Sequence, residues 1–163
     1  MIYILEGNEG GGKSTLAAYL SKALGVEIRH RGKPKNKKEK DQMMFDYLND
    51  IAKAEYTNVI WDRSFYSELV YGDVMRDSSV ITLEQMYTLE KFMQKNGGAI
   101  IYYCNSNTDA QWAKATERGE DYITSFEDFQ KINEAYDKLF TKTNHLIPIV
   151  DYDIRDNENL FTV

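Results

Sequence analysis

The sequence predicts an α/β fold in which a five-stranded, mostly parallel sheet carries helices on both faces, as a three-layer sandwich. Short runs rich in β-branched and aromatic residues alternate along the chain with longer segments whose apolar residues recur at helical spacing. The run Ala99–Cys104 is almost continuously apolar, which is typical of a strand buried on both faces of a sheet. The predicted strands are residues 2–5, 26–30, 58–61, 99–104 and 145–150.

Local signals mark the ends of several predicted helices. Gly25 is a helix-stop signal after the first helix, and Thr82 with Gln85 forms a capping-box pattern that opens the fourth. The glycine pair after Asn96 ends that fourth helix. The predicted helices are residues 15–24, 37–55, 65–72, 82–94, 108–115 and 126–140.

Length and composition predict one domain over residues 1–163, without a leader peptide and in the cytoplasm, which is the host cytoplasm if the protein is viral. The net charge of −6 disfavours binding to duplex nucleic acid. No apolar run approaches the length of a membrane span. The single cysteine, Cys104, excludes an internal disulfide and is expected in the core, and His30 and His145 are expected to be structural or incidental.

Residues 7–14 read GNEGGGKS and match the pattern of a phosphate-binding loop between a strand and a helix. Glycines let the backbone N–H groups of such a loop turn toward an anion, and the helix N-terminus adds partial positive charge. Lys13 is expected to reach the β- and γ-phosphates of ATP, and the Ser14 hydroxyl is expected to bind Mg²⁺. The predicted nucleotide-binding residues are Gly7, Asn8, Gly10, Gly11, Gly12, Lys13, Ser14 and Thr15.

Asp62, Arg63 and Ser64 follow the third predicted strand directly. A carboxylate at the end of an apolar strand can face a metal ion held at the loop, so Asp62 is the second candidate for the Mg²⁺ site. Arg63 is a candidate catalytic residue that bridges donor and acceptor phosphates. The alternative is an aspartate that caps the next helix beside a solvated arginine.

Candidate acceptor contacts lie after the second strand and on the third helix. Arg31, Lys33 and Lys35 predict a phosphate clamp beyond the second strand, with a solvated loop as the alternative. Tyr66, Glu68 and Tyr71 are candidate base contacts on the third helix, with core tyrosines and a surface glutamate as the alternative.

A charged, glycine-broken stretch follows the fifth predicted helix and reads ERGEDY over residues 117–122. Charges around a flexible point are typical of a lid that closes over phosphates, which places the lid at about residues 117–124 and makes Arg118 a catalytic candidate. An ordinary solvated turn is the alternative.

Three segments together resemble the thymidylate kinase and deoxynucleoside kinase family of P-loop kinases, in particular short bacteriophage-type members. They are LEGNEGGGKS at residues 5–14, DRSFYS at residues 62–67 and RGEDY at residues 118–122. The resemblance implies a P-loop NTPase-type fold and transfer of the γ-phosphoryl group of Mg·ATP to a small-molecule nucleoside or nucleotide. It also implies that Glu9 contacts the sugar, that Arg63 contacts the acceptor, and that Arg118 closes onto the transferring group. Packing as a homodimer through helices is a further implication.

Two observations point to different acceptors. The motifs EGN at residues 6–8 and RS with YS at residues 63–67 resemble deoxynucleoside kinases more closely, whereas the cations after the second strand and the single lid arginine, Arg118, favour a phosphate acceptor. Deoxynucleoside kinases carry a carboxylate there that acts as general base, whereas this chain has Arg31, Lys33 and Lys35 and no carboxylate before Glu39. An anionic phosphate acceptor needs cations and no base, so the sequence favours a thymidylate kinase-like reaction on a deoxynucleoside monophosphate. The alternatives are a deoxynucleoside kinase and, less favoured, a polynucleotide 5′-end kinase or a non-catalytic nucleotide-binding protein.

Overall fold

The computed structural model describes residues 1–76, 78–119 and 125–155. Its strands are β1 (Ile2–Glu6), β2 (Ile28–His30), β3 (Val59–Asp62), β4 (Ala99–Cys104) and β5 (Ile149–Tyr152). Its helices are α1 (Lys13–Leu24), α2 (Lys37–Ala54), α3 (Phe65–Met75), α4 (Leu83–Lys95), α5 (Thr108–Glu117) and α6 (Phe126–Thr141). Within these ranges, no helix is both long and apolar enough to cross a bilayer.

The five strands form one parallel sheet in the order β2-β3-β1-β4-β5, which confirms the predicted fold class. Strand β1 is central, and its neighbour β3 places Asp62 opposite Leu5. The loop after β1 and the residue that ends β3 therefore lie together at the carboxyl edge of the sheet, where ligands bind in open α/β sheets.

Alternation along β1 builds a core on each side of the sheet. Ile2 and Ile4 belong to the larger core with residues of α2, α3, α4 and α6, and Leu5 belongs to the smaller core with residues of α1. The two faces are covered unequally, and in β4 Ile100 and Tyr102 are only half-buried. We predicted that β4 is buried on both faces. It is fully buried on the face of the larger core and only partly buried on the other face.

The last strand is shorter and later than its apolar run predicts. We expected a strand over residues 145–150, and the structure has it at Ile149–Tyr152. The N–H of Leu146 donates to Oε2 of Glu90 at 2.7 Å, so its hydrogen bond goes to a side chain of α4 and not to β4. Asp151 consequently lies inside β5, where we expected it just beyond the strand.

A buried ion pair fastens this segment to α4. Nε2 of His145 donates to the carbonyl oxygen of Leu139 at 2.7 Å, and Nδ1 lies 2.6 Å from Oε1 of Glu90, which also accepts a hydrogen bond from Tyr66 Oη. The side chains of His145 and Glu90 are 3% and 0% exposed. Burial alone would lower the pKa of His145, but the bonds to Glu90 and Leu139 raise it above its usual value. The expected structural role of His145 fits this contact.

The His145–Glu90 pair should make the stability of the fold depend on pH. Because the pKa of His145 is higher in the folded than in the unfolded chain, its stabilisation is complete below the unfolded value of about 6.5 and is lost as pH rises through the folded value. His145→Asn should destabilise the protein by on the order of 3 kcal/mol at pH 6 and flatten the pH dependence above it. Urea unfolding at several pH values measures both effects. If the free energy of unfolding depends on pH equally in the wild type and the variant, this role of His145 is wrong.

Candidate active site

The loop after β1 can form only with glycine at its tightest points. Gly7, Gly10 and Gly12 have positive φ angles of 138°, 72° and 88°. A Cβ atom on Gly7 would lie 2.3 Å from the carbonyl oxygen of Cys104, and one on Gly10 would lie 2.4 Å from that of Gln111. Any side chain at either position would therefore displace backbone of a neighbouring segment. Helix α1 begins at Lys13, directly behind this loop.

Lys13 lies folded along its own loop. Its Nζ donates to the carbonyl oxygens of Gly7 and Asn8 at 2.9 and 2.7 Å. The residue is 6% exposed. Burial, helped by the positive charge of Arg63, lowers the pKa of Lys13 to about 8. Among the described residues, no carboxylate forms an ion pair with this ammonium group, and a bound polyphosphate would supply such an anionic partner.

A small polar cavity of about 90 Å³ opens in front of the loop. Ser14, Asp62 and Arg118 come from three different elements and lie in its wall together with Lys13. Thr15 is exposed and lies outside this lining set. The complete lining is Glu9, Gly10, Gly11, Gly12, Lys13, Ser14, Asp62, Arg63 and Arg118.

Ser14 and Asp62 are the predicted metal-binding residues in this cavity, and the Glu9 carboxylate that also lines it is paired with Arg63. Mg²⁺ keeps several waters and takes only one or two protein ligands where a substrate supplies phosphate oxygens, so this sparse donor set fits it. No group of three or more histidine, cysteine, aspartate or glutamate side chains with metal-binding geometry occurs in the described parts of the chain. The arrangement is thus suited to a metal that arrives with a nucleotide.

His30 contacts the carboxylate of Asp62 and so has a definite position at this site. Its Nδ1 lies 2.7 Å from Oδ2 of Asp62, across the β2–β3 register in which the two residues are paired. The His30 side chain is 74% exposed, whereas that of Asp62 is 12% exposed. We expected His30 to be structural or incidental, and its contact restricts the orientation of a predicted metal-binding carboxylate.

Arg63 has the left-handed backbone conformation, with φ at 69°. This conformation is costly for a residue with a Cβ atom, and such strain concentrates at functional sites. Its guanidinium forms an ion pair with Glu9 and lies 5.4 Å from the centre of the Tyr71 ring. Burial alone would lower its pKa, but Tyr71, Tyr136 and Glu9 raise it well above the usual value, so Arg63 is a permanent cation.

A buried carboxylate, Glu6, forms hydrogen bonds with two residues that contact Arg63. Glu6 is 0% exposed and accepts hydrogen bonds from Ser64 Oγ at 2.7 Å, Ser67 Oγ at 2.6 Å and Tyr136 Oη at 3.2 Å. Burial raises its pKa, which the bonds from Ser67 and Ser64 oppose. Ser67 and Tyr136 in turn approach Nη1 of Arg63 at 3.5 and 3.4 Å. Sequence reasoning gave no role to Glu6, because only the sheet brings it beneath residues from two distant helices.

A second cavity of about 230 Å³ adjoins the first, and Glu9 and Arg63 line both. Glu68 and Tyr71, two of the predicted base contacts, lie in its wall, and their contact with a base stays a prediction. Arg76 also lines this cavity, and the sequence did not indicate it because the predicted third helix ended at residue 72, whereas α3 continues to Met75. The complete lining is Glu9, Arg31, Gly32, Lys33, Met43, Tyr47, Arg63, Ser64, Ser67, Glu68, Tyr71 and Arg76.

The three predicted phosphate-clamp residues take different positions. Arg31 lies in the cavity wall, paired with Asp50 and with its guanidinium 4.9 Å from the Tyr47 ring centre. Lys33 also lines the cavity. Lys35 is exposed and lies outside the lining set, and its backbone N–H donates to Oε2 of Glu39 at 2.6 Å. The structure therefore brings Arg31 and Lys33 to the cavity and leaves Lys35 outside it.

The side chains of Tyr66 and Asn8 bond to other parts of the fold, and neither residue is among those that line the two cavities. Tyr66 is fully buried, and its hydroxyl donates to Glu90 at 2.7 Å in the larger core. Asn8 is 1% exposed and donates from Nδ2 to the carbonyl oxygen of Phe129 at 3.1 Å. The core alternative that we considered for the tyrosines of α3 fits Tyr66. The backbone carbonyl of Asn8 nevertheless holds Lys13.

Two further predictions concern Cys104 and the lid. Cys104 is fully buried, and burial raises the pKa of its thiol to about 12, which fits a core residue. Of the predicted lid, residues 117–119 are described, and Arg118 lines the small polar cavity in front of the loop. Residues 120–124 lie outside the described part of the chain.

Comparison with known proteins relates this site to a prophage protein. No family model matches the sequence. The SPbeta prophage-derived uncharacterized protein YorR of Bacillus subtilis is 31% identical over 140 residues, which span 86% of this chain and 82% of YorR. The chain belongs to the YorR family. A crystal structure of Bacillus subtilis YorR in complex with phosphorylated GDP matches with a TM-score of 0.73 and 26% identity over 98% of this chain and 95% of that one.

The fold of the YorR family is shared by more distant kinases. Deoxyadenosine kinase from M. mycoides with bound dATP matches with a TM-score of 0.65 and 20% identity, over 98% of this chain and 100% of that one. Polyphosphate kinase 2 from Arthrobacter aurescens TC1 matches with a TM-score of 0.69 and 19% identity, and the match covers 62% of that larger chain. This YorR-family chain thus has the fold of P-loop kinases.

Proposed function

We propose that this protein transfers the γ-phosphoryl group of Mg·ATP to a nucleoside monophosphate. The observation that carries the proposal is the pair of adjoining cavities with Glu9 and Arg63 at their junction. One cavity is small, polar and built on a phosphate-binding loop. The other is larger, with aromatic and charged walls, as expected for a nucleoside. A donor phosphate in the first and an acceptor in the second would meet at Arg63.

The protein's own residues would act by positioning and by neutralising charge. Lys13 would leave its loop carbonyls and bind the donor phosphates. Ser14 and Asp62 would hold Mg²⁺, which when bound neutralises charge on the polyphosphate. Arg63 would stabilise the charge that moves between donor and acceptor. Arg118 would contact the same group from the end of α5, as part of a lid at about residues 117–124.

The charge of the larger cavity favours a phosphate-bearing acceptor. Four cations (Arg31, Lys33, Arg63 and Arg76) and two carboxylates (Glu9 and Glu68) line it, and Asp50 pairs with Arg31 from outside the lining, so the net charge of this group is +1. An acceptor phosphate is already anionic at neutral pH and needs no general base. One observation favours a nucleoside 5′-hydroxyl instead: Glu9 lies at the junction of both cavities and could take up the proton.

The relatives support nucleotide phosphoryl transfer in general terms. YorR from the same family was crystallised with phosphorylated GDP, and a deoxyadenosine kinase shares the fold. We propose a homodimer as a further property, in line with the resemblance to nucleoside kinases, and sedimentation of the purified protein measures it.

A panel of acceptors tests the proposed reaction. ADP release from Mg·ATP should depend on the addition of a nucleoside monophosphate and should be much slower with the matching nucleosides. Chromatography should then detect the corresponding nucleoside diphosphate. Faster turnover with nucleosides would establish the alternative acceptor. The absence of acceptor-dependent ADP release across the whole panel would refute the kinase proposal and leave a nucleotide-binding protein.

Neutralising the cations after β2 should weaken acceptor binding selectively. Arg31 and Lys33 line the acceptor cavity and Lys35 follows them, so the triple change to glutamine should raise the acceptor KM roughly tenfold or more while the ATP KM changes little. Steady-state kinetics with each substrate varied in turn measures both constants. Lys35→Gln alone is the matched control and should behave like wild type. An unchanged acceptor KM in the triple variant would exclude this role.

A further inference from the structure

Glu68 and Arg76 form a fixed ion pair in the wall of the acceptor cavity. Nη2 of Arg76 donates to Oε2 of Glu68 at 2.7 Å, and the N–H of Val80 donates to Oε1 of Glu68 at 3.1 Å. The side chain of Glu68 is 5% exposed and that of Arg76 is 26% exposed. Both residues belong to α3 or its C-terminal cap, so helix geometry and two hydrogen bonds fix their relative position.

This pair keeps unused hydrogen-bonding capacity. Within the described part of the chain, the Arg76 side chain donates one hydrogen bond, from Nη2 to Glu68, so the cavity-facing capacity lies in its remaining Nη donors and not in its buried Nε. An arginine has five N–H donors, and each carboxylate oxygen of Glu68 can accept a second hydrogen bond. The cavity wall therefore presents donors from Arg76 directly beside acceptors from Glu68.

Nucleobases differ in whether their edges match such a wall. Guanine presents two adjacent acceptors, N7 and O6, followed by two adjacent donors, N1–H and the N2 amino group. Along the corresponding edge, adenine and thymine present an acceptor, a donor and an acceptor in turn. At least one of these groups would therefore face a group of its own kind, a donor facing Arg76 or an acceptor facing Glu68. Cytosine offers adjacent acceptors but only one donor group. Of the four bases, guanine alone offers two acceptors to Arg76 and two donor groups to Glu68.

We infer that Glu68 and Arg76 are specificity-determining residues that select guanine as the acceptor base. The inference rests on the proposed function, which identifies the larger cavity as the acceptor site. Arg76 donates to the O6 side of the base, and Glu68 accepts from N1–H and the N2 amino group. Met43, Tyr47 and Tyr71 supply apolar walls against which the purine ring packs. This acceptor differs from the thymidylate that the sequence resemblance implies.

Equilibrium binding tests the base preference without requiring turnover. Saturating Mg²⁺ and a non-hydrolysable ATP analogue occupy the phosphate loop, and calorimetry then measures the affinities of dGMP, dAMP, dCMP and dTMP. The wild-type protein should bind dGMP roughly 10- to 100-fold more tightly than dAMP or dTMP. Equal affinities for the four nucleotides, or tightest binding of any base other than guanine, would overturn the inference.

Two variants test whether the ion pair is the source of the preference. Arg76→Gln and Glu68→Gln should each bring the dGMP-to-dAMP affinity ratio close to one, through weaker dGMP binding. Lys131→Gln and Glu127→Gln are matched controls in an exposed ion pair on α6, with side chains 53% and 77% exposed, and should keep the wild-type ratio. A full guanine preference in either Glu68 or Arg76 variant would remove that residue from recognition. The wild-type comparison decides the base even if a variant does not fold.

Binding and turnover together separate this inference from the proposed function. Guanine-selective binding without phosphoryl transfer to any acceptor would support base selection and contradict the kinase reaction. Phosphoryl transfer with dTMP, dAMP or dCMP as the preferred acceptor would support the kinase reaction and contradict base selection.

Discussion

Lys13→Ala is expected to lower kcat by at least two to three orders of magnitude, the loss typical of removing a charged group that stabilises the transition state. Lys13 is the buried cation of the phosphate cavity, and it lies against the carbonyl oxygens of Gly7 and Asn8. In the proposed mechanism, phosphate oxygens of the donor replace these carbonyl oxygens as partners of the ammonium group. Steady-state turnover with the best acceptor of the panel measures the loss.

Two further variants make the Lys13 result specific. Lys13→Met keeps most of the buried side-chain volume and should be as inactive as Lys13→Ala, with thermal unfolding close to that of wild type. Lys22→Ala removes an exposed lysine from the last turn of the same helix and should retain full activity. Near-normal turnover in both Lys13 variants would refute the phosphate-loop mechanism.

Arg118→Ala should lower kcat about 10³-fold and change the substrate KM values far less, as expected of an arginine that acts mainly in the transition state. Arg118, the C-cap residue of α5, lies in the wall of the small polar cavity together with the loop glycines. A cation at that position can neutralise charge on the transferring group after α1 and its loop have bound the donor.

The control for Arg118 is Lys114→Ala, which removes an exposed cation one turn earlier on α5 and should leave turnover unchanged. Single-turnover measurements of Arg118→Ala would show whether the slow step is chemistry. An effect confined to KM would contradict the transition-state role and assign Arg118 to ground-state binding.

The sequence by itself determined the order of elements and the phosphate half of the site. Strand–loop–helix patterns are local, so the sequence alone predicts the glycine loop before Lys13 and the capping box at Thr82. The structure has both features. Asp62 could also be read, because it directly follows an apolar strand and parallel strands share one carboxyl edge. The predicted roles of these residues remain to be measured.

Tertiary structure decided which of the candidate side chains line the larger cavity and which lie in the core or outside it. The guanidinium of Arg63 contacts the hydroxyl of Tyr136, which in turn donates to Glu6, and no local pattern encodes contacts between residues so far apart in sequence. Tyr66 and Tyr71 are both buried tyrosines of α3, yet the hydroxyl of Tyr66 bonds to Glu90 in the core and Tyr71 lines the larger cavity. Packing between distant segments sets the direction of each side chain, and sequence spacing along a single helix does not contain that information.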